Sequence, residues 1–414
     1  MKVSLLPAVS DSHVDSSQSL SQRQLRIAIS AIAEASDRPL PLNLCLVLDH
    51  SGSMSGKPLE TVKKAALRLV ENLTPNDHLS LVAFDHRAKV ILPNQAVTDL
   101  KTVKQAIENL KAEGGTCIDE GMKLGIEQAA EGKQDRISQI FLLTDGENEH
   151  GDNERCLKLA ELAAKYNISA STLGFGAHWN QDVLEKIADS AAGSLSYIEY
   201  PEQAASEFSR LFARLQSVGL TNAYLLIELM PQVRLAELKP AAQVAPETVE
   251  LTVQQEGNNY VVRLGDLMTG QSREVLLNLY LGQLPPGKQA IATLQVRYDD
   301  PSLSQVGLLS EKIFFDVEVQ SDYQPNPNPQ VQQSILALAK YRQTQIAETK
   351  LQQGDRTGAA TMLQAAAQTA IQLGDHSGAT VLQTSATRLQ GGEDLSEAER
   401  KKTRMAAKTV LQSK

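Results

Sequence analysis

The apolar positions of this chain change rhythm along its length. From residue 42 to about 218, short apolar runs alternate with amphipathic stretches. Residues 42–48 (LNLCLVL) and 137–143 (ISQIFLL) are near-continuous apolar runs, as expected of strands covered on both faces. Residues 78–84, 89–92, 168–175 and 194–200 read as further strands. Residues 58–72, 99–112, 119–131, 153–165, 181–190 and 201–218 read as helices, with Pro58 where a first-turn proline fits. This alternation predicts an α/β domain: a mainly parallel sheet flanked by helices, with ligands at the carboxyl ends of its strands.

From 219 to 319 strand follows strand: 224–229, 248–253, 259–264, 273–280, 289–298 and 312–319. Turn signals such as EGNN at 256–259 and PPG at 285–287 separate them, which predicts an all-β sandwich of modest size. The first 20 or so residues, rich in Ser and Asp, read as a loose lead-in. Leu25, Ile27 and Ile29 then alternate with polar neighbours. That strand has no place in the α/β sheet, so it is expected to pair into the β module, making the α/β domain an insertion. Residues 36–41 read as a turn-rich connector, and 324–330 (QPNPNPQ) as a polyproline-like spacer. Beyond it lies a helical region rich in Ala, Gln and Leu. There GDxxGA occurs at 354–359 and again at 374–379, with Gly suited to a helix C-cap and Asp to the next N-cap. A small C-terminal helical bundle follows from this. The expected organisation is 1–40 N-terminal segment, 41–218 α/β domain, 219–322 β-sandwich, 323–330 linker and 331–414 helical region.

Composition narrows the partners. The net charge of −9 over 414 residues argues against nucleic acid, which needs a positive footprint. No apolar run reaches the roughly 18 residues of a membrane span. The start of the chain, broken by Pro7, is too short for a secretory signal. Cys45, Cys117 and Cys156 are odd in number and scattered, giving neither a disulfide framework nor a zinc pattern. They suggest a reducing, cytoplasmic compartment.

The candidate chemistry begins directly after the first buried run. Asp49-His-Ser51-Gly-Ser53 places one carboxylate and two hydroxyls in one tight loop, with Gly52 relaxing the backbone. Gly114-Gly115-Thr116 precedes a helix and offers a third hydroxyl. Thr144-Asp145-Gly146 follows the second buried run and offers a second carboxylate. All three loops are expected at one sheet edge. Hard oxygens select Mg²⁺, Mn²⁺ or Ca²⁺ over Zn²⁺, and few charged ligands with several neutral hydroxyls suit Mg²⁺ first. Such a site leaves a position open for a carboxylate from a partner.

These motifs resemble the metal-ion-dependent adhesion site of von Willebrand factor A domains, and the resemblance covers about 42–218. It implies a Rossmann-like fold and a role in binding proteins, not in catalysis. It also implies that Ser51, Ser53 and Thr116 contact the metal directly, while Asp49 and Asp145 act largely through water. The layout is similar to bacterial cytoplasmic proteins of this superfamily and to inter-alpha-trypsin inhibitor heavy chains. Cys117 departs from the Asn or Asp of many relatives, and a thiol beside the site also admits a redox reading.

Blander readings stand beside these. Asp49, Ser51 and Ser53 alone make a plausible Asx turn and helix cap, and Thr116 alone a helix cap. His50 is expected to line the rim. His78, His86, His150 and His178 have no ligand spacing. Glu147, Glu149, Asp152 and Glu154, like the basic run Arg400, Lys401, Lys402, Arg404 and Lys408, read as solvated faces. The leading function is therefore a metal-dependent adaptor whose partner protein supplies an Asp or Glu. Two alternatives are a subunit serving an AAA+ ATPase, or a metal-dependent hydrolase. The last lacks a G-x-S-x-G elbow, a phosphate loop and a placed base, so no residue is assigned as catalytic. The pattern does not specify the oligomeric state.

Overall fold

The computed structural model describes residues 1–33 and 40–409. Most of the expected connector at 36–41, and the end of the expected helical region at 410–414, lie outside the described residues. The chain opens with β1 (Lys2–Val9), β2 (His13–Asp15) and β3 (Leu20–Ile32). There follow β4 (Leu42–Asp49), α1 (Lys57–Val70), β5 (His78–Phe84), β6 (Ala88–Ala96), α2 (Leu100–Glu108), α3 (Ile118–Glu131) and β7 (Ile137–Thr144). Next come α4 (Asn153–Lys165), β8 (Ser169–Phe175), α5 (Gln181–Ser190), β9 (Ala192–Ile198) and α6 (Ala204–Gln216). Ten strands then run consecutively: β10 (Val218–Leu229), β11 (Val233–Leu235), β12 (Ala241–Ala245), β13 (Val249–Leu251), β14 (Val253–Glu256), β15 (Asn259–Met268), β16 (Arg273–Gly282), β17 (Gly287–Asp300), β18 (Gln305–Leu309) and β19 (Ile313–Gln320). Four helices close the chain: α7 (Pro329–Gln352), α8 (Arg356–Gln372), α9 (His376–Gln390) and α10 (Glu397–Lys408).

Two compact units result. One comprises Met1, Glu34–Asn222 and Asp299–Val306, and the other Lys2–Ala33, Ala223–Tyr298 and Gly307–Lys414. The first is built on a six-stranded sheet of order β6-β5-β4-β7-β8-β9. All its pairings are parallel except β5 with β6. Every residue of β4 and β7 is buried, which is why both read as unbroken apolar runs. Helices α1, α2 and α6 pack together, as do α3, α4 and α5, and α3 lies on β4, β5 and β7. From β4 the chain moves outward through β5 to β6. It then returns to β7 and moves the opposite way through β8 to β9. The strand order therefore reverses between β4 and β7, and crevices at such switch points open at the carboxyl ends of the strands.

The second unit contains two largely antiparallel sheets. One has the order β1-β3-β16-β12-β13, with β11 on β16. The other has β14-β15-β10-β17-β19-β2, with β18 on β17. Strand β3 pairs antiparallel with β16, setting Leu25 opposite Leu277 and Ile27 opposite Val275. Leu25, Ile27 and Ile29 are fully buried there. The first residues are not a loose lead-in: Lys2–Val9 pairs along its whole length with β3. It is an edge strand, where Pro7 costs no ladder bond, and Leu5 and Val9 point inward.

The helices pack around an Ala- and Leu-rich core that includes Ala359, Leu363, Ala366, Leu382 and Ala386. Val331, Leu338 and Tyr341 of α7 cover Val244 and Leu276 of the β sheet. Residues 323–328 are tied down, because Tyr323 Oη donates to Asp11 at 2.6 Å and Asn326 N to the same carboxylate at 3.0 Å. In the repeat, Asp355 and Asp375 cap α8 and α9 by accepting from Gly358 N and Gly378 N, each at 2.8 Å. The basic run on α10 is not a uniformly solvated face. Lys401 and Lys408 are buried, and Arg404 pairs with Glu348 at 3.0 Å. Among the described residues no helix is long and apolar enough to cross a membrane.

Candidate functional site

Strand β4 delivers Asp49 to the carboxyl edge of the parallel sheet with no exposed surface. Its Oδ1 accepts from Ser51 N at 2.8 Å, turning the chain sharply. Its Oδ2 accepts from Thr144 Oγ1, the last residue of β7, at 2.6 Å. Asp49 thus ties two neighbouring strand ends together. Ser51 Oγ lies 3.0 Å from Ser53 Oγ, and Ser53 Oγ donates to Asp145 Oδ1 at 2.7 Å. Four of the five candidate residues therefore form one hydrogen-bonded chain across the switch point.

Thr116 joins them from the loop before α3. Gly52 N donates to Gly114 O at 2.9 Å and Glu113 N to His50 O at 2.8 Å, which latches that loop to the Asp49 loop. His150 N donates to Thr116 O at 3.0 Å, latching it to the loop after β7. The buried Thr116 hydroxyl lies 3.1 Å from where a Cβ on Gly146 would stand, directly beside Asp145. The paired glycines follow from crowding. Gly114 has φ +74, and a Cβ there would come within 2.5 Å of His86 Nδ1. A Cβ on Gly115 would come within 2.4 Å of the His150 ring.

The electrostatics are one-sided. Burial pushes the Asp49 carboxyl up to about 6; hydrogen bonds from Thr144 and Ser51 oppose that rise, and the charge of Asp145 adds to it. Burial also raises Asp145, against its bond from Ser53. Neither carboxylate meets a Lys or Arg among the described residues. A buried carboxylate without a countercharge is costly, and a hard divalent cation would compensate it while using the three hydroxyls as neutral donors. Among the described residues no group of three or more His, Cys, Asp or Glu is placed to hold a metal ion. The donor set is of the mixed carboxylate and hydroxyl kind.

Several nearby residues gave no signal in the sequence beforehand. Thr144 is one; its only trace is its place beside Asp145. The histidines are another, since His86 and His150 border Gly114 and Gly115, and the charge of His178 reaches Asp145. His50 turns aside, its Nδ1 donating to Lys111 O at 2.7 Å. Asn148 Oδ1 accepts from Ile118 N at 2.7 Å and so helps hold the start of α3. Cys117 is buried and its Sγ donates to Asp119 Oδ1 at 3.3 Å. Burial, with Asp119 beside it, pushes the thiol up to about 11, which suppresses the reactive thiolate. Glu147, Glu149, Asp152 and Glu154 are exposed, and Asp152 caps α4.

Comparison with known proteins agrees with this architecture. Residues 43–210 match the von Willebrand factor type A domain, and residues 329–413 match the Sll0103-like C-terminal alpha-helical domain. The chain is 64% identical over 412 residues to sll0103 of Synechocystis sp., an uncharacterized protein, covering 100% of this chain and 98% of that one. It is 25% identical over 202 residues to inter-alpha-trypsin inhibitor heavy chain H3 of Rattus norvegicus, covering 45% of this chain and 22% of the relative. A solved von Willebrand factor type A protein from Catenulispora acidiphila superposes with a TM-score of 0.81 at 16% identity, covering 99% of this chain and 97% of that one.

Proposed function

The chain belongs to the von Willebrand factor A domain proteins, of the Sll0103-like kind, and from that premise we propose that Asp49, Ser51, Ser53, Thr116 and Asp145 hold a divalent cation on which a partner protein docks. Such domains often mediate protein–protein interaction. The observation that carries the reading is the charge imbalance: Asp49 is wholly buried, feels the charge of Asp145, and neither carboxylate has a Lys or Arg partner among the described residues. Mg²⁺ suits the set first, with Mn²⁺ and Ca²⁺ as alternatives. The cation supplies a Lewis-acidic position that an Asp or Glu of the partner can fill.

The residues divide the work. Ser51, Ser53 and Thr116 offer neutral oxygens, which leave most of the ion's charge for the incoming carboxylate. Asp49 and Asp145 balance that charge, and Asp49 also fixes the loop geometry through Ser51 N and Thr144 Oγ1. The role assigned to these residues is docking. The three free, buried cysteines fit a cytoplasmic setting.

Pull-down with the full chain, with and without Mg²⁺ and read by mass spectrometry, tests the proposal. A partner captured in Mg²⁺ should be lost in EDTA and with the isosteric Asp49→Asn. Capture that survives both treatments would sink it.

A further inference from the structure

In the second compact unit, strand β19 is a sheet edge over most of its length. One side is paired with β17, from Val319 opposite Gly287 to Ile313 opposite Leu294. On the other side β2 covers only Glu318–Gln320. There Glu318 N donates to Ser12 O and Ser16 N donates to Gln320 O, each at 2.9 Å. The even-numbered residues of β19 therefore turn their backbone groups away from β17, because both groups of one residue in such a ladder face the same side. By that alternation Phe314 and Asp316 present N–H and C=O outward, where among the described residues no strand meets them. Unpaired edges of this kind are templates for another strand, and proteins blunt them with proline or by keeping them short. Strand β1 carries Pro7, and β2, β13 and β14 have three, three and four residues. Strand β19 has eight residues and no proline. Phe314 on it is 67% exposed, and Ile313 and Phe315 are half-buried.

The charges along this edge select its partner. Lys312 lies two residues before Phe314 and Asp316 two residues after it. Asp316 already meets Lys288 Nζ at 3.1 Å through Oδ2, which leaves its second oxygen; Lys312 has no ion partner among the described residues. An antiparallel second copy centred on Phe314 sets Lys312 of each copy opposite Asp316 of the other. The two Phe314 residues then face each other and exchange a pair of backbone hydrogen bonds, and Ile313 lies opposite Phe315. Opposite charges and apolar side chains directly across a strand pair stabilise it, and like charges do the reverse. Centring on Lys312 or Asp316 opposes like charges. Centring on Ile313 or Phe315 sets the exposed Phe314 against Lys312 or Asp316.

We propose that β19 pairs antiparallel with β19 of a second copy of this chain, about a two-fold axis at Phe314, to form a homodimer. The pairing is short, so the dimer belongs to the weak, concentration-dependent class of interfaces. Sedimentation equilibrium of the full chain between about 1 µM and 1 mM tests it. EDTA is present throughout, which removes any association through a cation at the Asp49 cluster. The mass should rise from monomer toward dimer. Lys312→Glu makes the edge acidic and Asp316→Lys makes it basic, so each alone should dimerise at least tenfold more weakly. Their equimolar mixture restores opposite charges across the pair and should dimerise as the wild type does. Phe314→Pro removes the central hydrogen bonds at an amide that β17 does not use, and should abolish the dimer with an unchanged circular dichroism spectrum. The proposal is overturned if the wild type stays monomeric throughout, if the folded Phe314→Pro variant dimerises as well as the wild type, or if the mixture associates no better than its components.

Discussion

Asp49 makes the stability of the α/β unit depend on both pH and cation, with a definite sign. Its folded-state value of about 6 lies well above the ordinary carboxylate value near 3.9. Without metal, the folded state therefore holds a proton that the unfolded state has released between about pH 4 and 6. Stability contributed by this group is fully present below about pH 4 and is lost as pH rises through 6, a change of about 3 kcal/mol. Asp49→Asn keeps the shape. Its Oδ1 can accept from Ser51 N and its Nδ2 can donate to Thr144 Oγ1, and the charge is gone. In EDTA at neutral pH the variant should be more stable than the wild type by up to about 3 kcal/mol, and the gap should close by about pH 4. Bound Mg²⁺ stabilises the wild type alone, adding about 2.7 kcal/mol at a hundredfold excess over its Kd and so nearly closing that gap. Trp179, the single tryptophan, is buried in this unit, so urea titrations followed by its fluorescence report on it directly. Parallel pH profiles for the two proteins in EDTA would refute the reasoning, as would a variant less stable than the wild type at neutral pH.

Other perturbations have equally definite outcomes. Thr144→Val removes the hydroxyl bond to Asp49. It should cost about 1–3 kcal/mol in urea unfolding and weaken Mg²⁺ binding measured by calorimetry. In the helical region, Lys340→Ala leaves Asp375 buried and unpaired and should cost about 3–5 kcal/mol. Lys350→Ala, at the matching but solvated Asp355 of the first repeat, should cost less than about 1 kcal/mol. Circular dichroism of the pair in denaturant gives the comparison. Ile27→Ala in β3 should cost about 2–5 kcal/mol, because the strand is central to its sheet; a loss under 1 kcal/mol would contradict the pairing with Val275.

Much of this protein could be read from local sequence, and the reason is periodicity. Strands β4 and β7 are buried on both faces, so their apolar runs admit few alternatives; β4 ends at Asp49, and Asp145 directly follows β7. The spacing Asp49-x-Ser51-x-Ser53 is contained in one turn and needs no distant information. Gly114, Gly115 and the repeated Gly-Asp turns announced themselves because crowding or positive φ demands those residue types. The α/β class, the five oxygen-bearing side chains and the helical region were thus written in short stretches of chain.

What local pattern could not decide was where separate segments meet. Strand β1 has weak alternation and a proline, and becomes a strand because β3 offers it a full ladder. Thr144 matters only because β7 lies beside β4, bringing its hydroxyl to a carboxylate 95 residues away. Three histidines with no mutual spacing, His86, His150 and His178, come to the loops around one sheet edge for the same reason. Lys401 and Lys408 look like surface charges and are buried, since helix packing and not composition sets the face that is covered. Sequence alone singled out the five oxygen-bearing groups proposed to hold a cation. The parallel sheet, by reversing strand order between β4 and β7, brought two carboxylates within each other's field with no Lys or Arg against them among the described residues.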